Sequence, residues 1–288
     1  MRKFRIRSGF LCSLLVVATA VISPQTHAGA LEKLFAPKAR LWPVWTRHGA
    51  DSDRTIDHSA WTAFLAAYVR EGADGINRVA YGSVSEADRA SLKSYIDSLQ
   101  SLPISDYTRR EQLSYWINLY NALIVDVVLD HYPVDSIQDI KLSGGLFSRG
   151  PWKEKLVVIE DKALSLNDIE HRILRPIWKD PRLHYAVNCA SIGCPNLIKE
   201  AFTGNNAESL LLKGAREYIN HSRGVSIKDG QLYVSSIYSW FESDFGGSSA
   251  GVIDHLIGYA TEPLSRELTG IKKISGDSYD WSLNDAIR

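Results

Sequence analysis

Amphipathic helical periods in the first half of the chain, short β-type runs between helices in the second, and an Asp229-Gly230 turn flanked by two such runs predict an α+β protein. Its helical part is expected to pack on a small antiparallel sheet.

Residues 1–7 are basic, residues 10–22 are apolar, and small and polar residues follow to Ala30, the three-part order of a secretory signal peptide. The apolar run is shorter than the ~20 residues a bilayer span needs. Cys12 stands at the front of that run, not at its end where a lipoprotein cysteine lies. The reading is a leader over residues 1–30, no stable membrane anchor after cleavage, and a periplasmic or secreted product. Residues 31–55, with Pro37, Pro43, Lys38, Arg40 and Arg47, hold no sustained period and read as an N-terminal extension to a domain over residues 56–288.

In residues 58–70, Trp61, Phe64, Leu65 and Tyr68 recur at helical spacing. A second helix opens at Ser85, runs through Leu92, Tyr95, Ile96 and Leu99, and stops before Pro103. Residues 109–132 are apolar on most faces, which marks a central buried helix, and Asn118 and Asn121 are unusual in it because a buried amide is costly unless hydrogen-bonded. They either hold a site loop or tie the helix to neighbouring backbone. A glycine- and serine-rich loop at 143–150 leads to a strand at 156–159; Ser165 then caps a helix expected to run to Arg175 and end at Pro176. Residues 183–187 read as a buried strand feeding a turn at 188–195. A helix at 207–220, a hairpin at 225–227 and 232–234, and a last helix at 251–260 complete the pattern.

The 33 cations balance 33 anions, but Arg2, Lys3, Arg5 and Arg7 leave with the leader, so the mature chain of 258 residues carries −4. A mildly acidic surface carries no electrostatic footprint for nucleic acid or anionic lipid.

Of three cysteines, Cys189 and Cys194 remain after cleavage. A nucleophilic cysteine needs a base and surroundings that favour the thiolate. Cys189 is the first choice, because Ala190, Ser191 and Gly193 are small enough for backbone amides to approach an oxyanion. Cys194, before Pro195, ranks second. His184 is one candidate base, yet in an extended strand it and Cys189 leave opposite faces about 16 Å apart. His171, on a separate helix, is the rival, with Asp168 or Asn167 available to orient it. Glu170 lies about 100° from His171 around a regular helix and is freer to meet His184. A Cys2His2 zinc set from these residues does not follow the usual finger spacing, so no metal or other cofactor is implied. The competing reading joins Cys189 and Cys194 in a disulfide. Trp240, Phe241 and Phe245 read as core, with Asp244 capping a turn.

Residues 115–123, 166–175 with Ile169-Glu170-His171, 180–189 with Cys194-Pro195, 240–246 with Asp244-Phe245-Gly246, and the closing Tyr279-Asp280-Trp281-Ser282-Leu283-Asn284 resemble, in order and spacing, the DUF547 family. The resemblance implies a papain-like or transglutaminase-like architecture with a cysteine, a histidine and a glutamate at the site. The function that follows is an exported thiol hydrolase or transferase acting on a peptide or glutathione-like amide bond. The alternative is a non-enzymatic binding or assembly module with a Cys189–Cys194 disulfide.

Protein made in a bacterial host is expected to lose its first 28 to 30 residues on export. Intact mass of the periplasmic fraction checks this, and a mass that still includes residues 1–28 counts against it.

Overall fold

The computed structural model describes residues 36–142 and 150–286. The leader and nearly all of the glycine- and serine-rich loop lie outside the described residues.

Three helices build the first half: α1 Ser59–Tyr68, α2 Glu86–Gln100 and α3 Arg109–His131. Ser85 caps α2 by accepting the Asp88 N–H, which satisfies a donor that the first helical turn leaves unpaired. Helix α3 is buried around most of its circumference, with Tyr115, Trp116, Ile117, Leu119 and Ala122 all in the core. A ribbon that the sequence reading did not foresee, β1 Val69–Glu71 with β2 Asn77–Val79, follows α1 directly.

The two amides of α3 are clamps. Asn118 donates to Phe202 O at 2.7 Å and accepts the Phe202 N–H at 3.0 Å. Asn121 donates to Ala186 O at 2.9 Å and accepts the Asn188 N–H at 2.8 Å. Asn118 thus ties α3 to neighbouring backbone, and Asn121 holds the loop that carries Cys189.

Strands β3 Val157–Ile159 and β4 Lys162–Leu164 pair antiparallel, and Ser165 with Asp168 forms a capping box for the helix beyond. That helix does not end at Pro176. Its first turn, Leu166–Asp168, widens into a π-helix over Ile169–Leu174 and continues as Arg175–Trp178, ending at Lys179 in the left-handed conformation with φ 53°. The N–H that Pro176 lacks would have reached back to His171 in this wide register. The N-terminal extension fills the place: Arg40 N–H donates to His171 O at 2.8 Å and Trp42 N–H to Arg172 O at 3.0 Å. Trp45, on the same segment, is buried edge-on against Trp116.

The expected strand at 183–187 is absent. Pro181–Tyr185 forms a 3₁₀-helix, started by Asp180, whose carboxylate accepts the Arg182 N–H at 2.9 Å. The apolar run looked β-like because it is buried, but the Asp-Pro turn chemistry before it wins. The opposite-face argument separating His184 from Cys189 falls with the strand.

Helix α4 Ala207–Ile219 leads to β5 Val225–Lys228 and β6 Gln231–Ser235, which pair antiparallel as expected. The sheet is mixed, however, because β7 Ile274–Ser278 lies parallel to β6. Helix α5 Ser249–Tyr259 is followed by a further helix, α6 Leu264–Thr269, so the run at 251–260 is not the last. The result is an α+β protein with, among the described residues, three small sheets instead of one antiparallel sheet. Among the described residues no helix is long and apolar enough to cross a membrane.

The Asn121→Leu substitution leaves Ala186 O and Asn188 N–H buried without their partner, at ~1–3 kcal/mol for each stranded group. Chemical denaturation should show a loss of about 2–6 kcal/mol for the two groups together; an unchanged midpoint would mean that the clamp contributes nothing.

Candidate functional site

Cys189 sits in a loop fastened on every side. Asn188, held by Asn121, donates to Pro195 O at 2.8 Å and accepts the Ala190 N–H at 2.8 Å, so one amide closes the loop across its base. Ala190 is fully buried in the left-handed region at φ 55°, a conformation that a residue with a Cβ keeps only when its surroundings impose it.

The C-terminal segment beyond β7 supplies the remaining side. Ile192 N–H donates to Ser282 O at 2.8 Å, Gly193 N–H to Asp280 O at 2.8 Å, and Asn284 N–H to Ala190 O at 3.1 Å. A Cβ at Gly193 would stand 2.8 Å from Asp280 N, so glycine is what lets the two backbones meet. Residues 278–282 also line a cleft of about 610 Å³ with Asp135, Ser136, Gln138 and Asp139, and Cys189 is not among its lining residues.

These bonds revise the expected oxyanion site. The amides of Ala190, Ile192 and Gly193 are spent on Asn188, Ser282 and Asp280, and that of Cys194 on Ser191 O. The Cys189 N–H itself points at Cys194 Sγ, 3.0 Å away.

Both cysteines are free thiols, Cys189 partly exposed and Cys194 buried, with sulfurs 3.0 Å apart. Tyr279 Oη lies 2.9 Å and Ser191 Oγ 3.3 Å from Cys189 Sγ. Burial pushes the Cys189 thiol up, but hydrogen bonds from Cys194, Ser191 and Tyr279 outweigh it, and the balance lies below the ordinary thiol value. The Glu170 charge works against this lowering. Burial and the neighbouring Cys189 hold Cys194 well above the ordinary value, so the two sulfurs are driven apart in acidity.

The other expected residues gather in one buried cluster. His184 Nε2 is 2.8 Å from Asp244 Oδ2, and its ring stacks on Phe241 with centroids 4.4 Å apart. Glu170 Oε1 lies 3.8 Å from His184 Nδ1 and 3.7 Å from His171 Nδ1. Glu170 and His171 stand at consecutive positions of the π-helical turn, and both side chains reach this cluster. His171 takes its orientation from Arg175, whose guanidinium donates to Nδ1 at 2.9 Å. Asp168 is engaged elsewhere, with Lys155 and Arg172. Arg175 also forks onto Asp244 at 2.6 and 3.1 Å.

Neither imidazole is a hydrogen-bond partner of either sulfur among the described residues. Tyr120 belongs to the histidine–carboxylate cluster: its hydroxyl donates to Glu170 Oε2 at 3.0 Å, and burial, then the charges of Glu170 and Cys189, hold it well above the usual phenol value.

Sequence reasoning gave Tyr120 and Arg175 no role at the site, Ser191 only a place as a small residue near an oxyanion, Tyr279 only a place in the family-like closing segment, and Asp244 only a turn-capping role. Asp244 carried a signal, as a carboxylate set with Glu242 among Trp240, Phe241 and Phe245. Tyr279 lies 90 residues from Cys189 and was marked only by its place in the family-like closing segment, with nothing to join it to the sulfur. Among the described residues, no group of three or more His, Cys, Asp and Glu is placed to hold a metal.

Fold and site together define an α+β protein with a dithiol loop beside a buried histidine–carboxylate cluster. Residues 104–219 match the family model described as "Protein of unknown function, DUF547". That stretch holds Glu170, His171, His184, Cys189 and Cys194, whereas Asp244 and Tyr279 lie beyond it. No curated protein and no solved structure matches the chain.

Burial lowers the pKa of His171 to about 4, and burial does the same for His58 and His255. Each is neutral when folded and takes up a proton on unfolding between its unfolded value near 6.5 and about 4, so stability falls as pH drops through that window. The slope near pH 5 should match uptake of about three protons, each ~1.4 kcal/mol per pH unit, and about two in His171→Gln. Denaturation curves at several pH values measure it; a stability flat from pH 6.5 to pH 5 would contradict the buried neutral state.

Proposed function

We propose that the chain is an exported thiol hydrolase or transferase in which Cys189 attacks the carbonyl of a peptide or glutathione-like amide. One observation carries the reading: a partly exposed sulfur has two hydroxyls and a thiol within 3.3 Å, all able to donate to its thiolate. A thiolate formed in the resting site needs no base at the moment of attack.

Attack makes a C–S bond and a tetrahedral oxyanion. With the amides of residues 190 and 192–194 engaged, the hydroxyls of Ser191 and Tyr279 serve as donors beside the sulfur for that charge. Collapse breaks the C–N bond, and the leaving nitrogen takes a proton from Tyr279. Water or a second amine then attacks the acyl-sulfur carbon, returns a proton to Tyr279 and frees Cys189 as thiolate.

His184 directs its Nε2 proton at Asp244, so His184, Glu170 and His171 are assigned to the charge behind the sulfur and not to direct transfer at it. The rival reading, a binding module with its cysteines closed as a disulfide, draws on the same 3.0 Å separation; the exposure of Cys189 and its set of donors favour chemistry.

The test is the pH dependence of iodoacetamide alkylation, with the modified site mapped by peptide mass, together with the burst of p-nitrophenolate from p-nitrophenyl acetate. Cys189 should react well below the free-cysteine pKa of ~8.5, and Tyr279→Phe should raise its apparent pKa by about one unit, the worth of one hydrogen bond to a charged group. His184→Ala and His171→Ala should move it less. A sulfur no more reactive than free cysteine, with no burst lost in Cys189→Ser, would sink the proposal.

A further inference from the structure

The acyl mechanism leaves Cys194 with nothing to do except donate to its neighbour, yet the loop is folded around the pair. The left-handed Ala190 turns the chain back, the Asn188 amide closes it from Ala190 to Pro195, and the Cys189 N–H is directed at Cys194 Sγ. The sulfurs stand 3.0 Å apart, and a disulfide needs them at ~2.0 Å, a closure of about 1 Å that side-chain rotation can supply.

We propose that Cys189 and Cys194 are a redox couple that exchanges electrons with an external disulfide, with Cys189 as the attacking and Cys194 as the resolving sulfur. The inference rests on the reading of Cys189 as the accessible nucleophile. Only Cys189 meets solvent, whereas Cys194 is 3% exposed and out of reach of an external partner.

In the first step the Cys189 thiolate attacks one sulfur of the incoming disulfide. An S–S bond forms to Cys189, the original S–S bond breaks, and the departing thiolate takes a proton from solvent. In the second step Cys194 gives its proton to solvent and attacks Cys189 Sγ, and the second external thiolate leaves and is protonated. Two cysteine thiols are oxidised to one disulfide, and one external disulfide is reduced to two thiols.

The donors around Cys189 stabilise the reduced form, which makes the closed disulfide a ready oxidant. The oxidised site has no nucleophile, so the same exchange switches the acyl chemistry off.

The experiment equilibrates the folded protein with graded mixtures of reduced and oxidised glutathione, quenches with acid, alkylates, and weighs the peptide from Leu183 to Lys199, which holds both sulfurs. Native protein should lose both alkylatable thiols together, with a mass lower by two hydrogens and no lasting glutathione adduct. Cys194→Ser should instead retain a near-stoichiometric glutathione adduct on Cys189, while Cys189→Ser should leave Cys194 unmodified until the protein is unfolded. Tyr279→Phe should slow the first step and still close the disulfide.

A glutathione adduct that persists on Cys189 in the native protein, or modification of Cys194 before Cys189, would overturn the couple. An adduct of that kind with the p-nitrophenolate burst intact would leave the acyl reading standing. Closure of the disulfide with no burst would support the couple and end the acyl reading.

Discussion

The amide of Asn121 is the constraint on which the site depends. Helix α3 is apolar nearly all round, so one polar side chain on it can be kept only by giving it full hydrogen-bond partners, and those partners are Ala186 O and Asn188 N–H. By fixing these two groups, Asn121 sets both the end of the segment carrying His184 and the start of the loop carrying Cys189. Asn188 repeats the device within the loop. Two amides therefore hold a turn that would otherwise have to carry a left-handed alanine unsupported.

The same economy shapes the chemistry. Backbone amides near a nucleophile can serve catalysis or structure, and here the C-terminal segment has claimed those of Ile192 and Gly193 for structure. In return it delivers Tyr279 to the sulfur. The donors around Cys189 are thus side-chain hydroxyls and a thiol, whose orientation can follow the sulfur's charge, in place of a fixed amide cradle.

How much of this could be read in the sequence follows from how local each feature is. Helices α1 to α4 and the β5–β6 hairpin are set by periods and caps within their own segments, and they lie where the residues predicted. The 3₁₀-helix at Pro181–Tyr185 was misread because burial supplies the same apolar run to a strand and to a compact turn. The π-helix left no local mark in the sequence. Its cause is remote: the extension's amides of Arg40 and Trp42 satisfy carbonyls that the widened turn and Pro176 leave open. Strand β7, short and containing Gly276, pairs only because β6 offers it an edge.

Cys189, Glu170 and the two histidines were legible as residue types that chemistry needs. Their division into two groups was not, because it depends on Tyr120 and Asp244, which come from elements distant in the chain. That division sorts the roles. A histidine whose Nε2 is held by Asp244 and a histidine whose Nδ1 lone pair is occupied by Arg175 are both committed to the protein interior. The acidity of Cys189 must then come from what lies against the sulfur itself. Cys194 and Tyr279, each less acidic than its free side chain in the resting site, stand protonated beside the sulfur and so donate to the thiolate of Cys189.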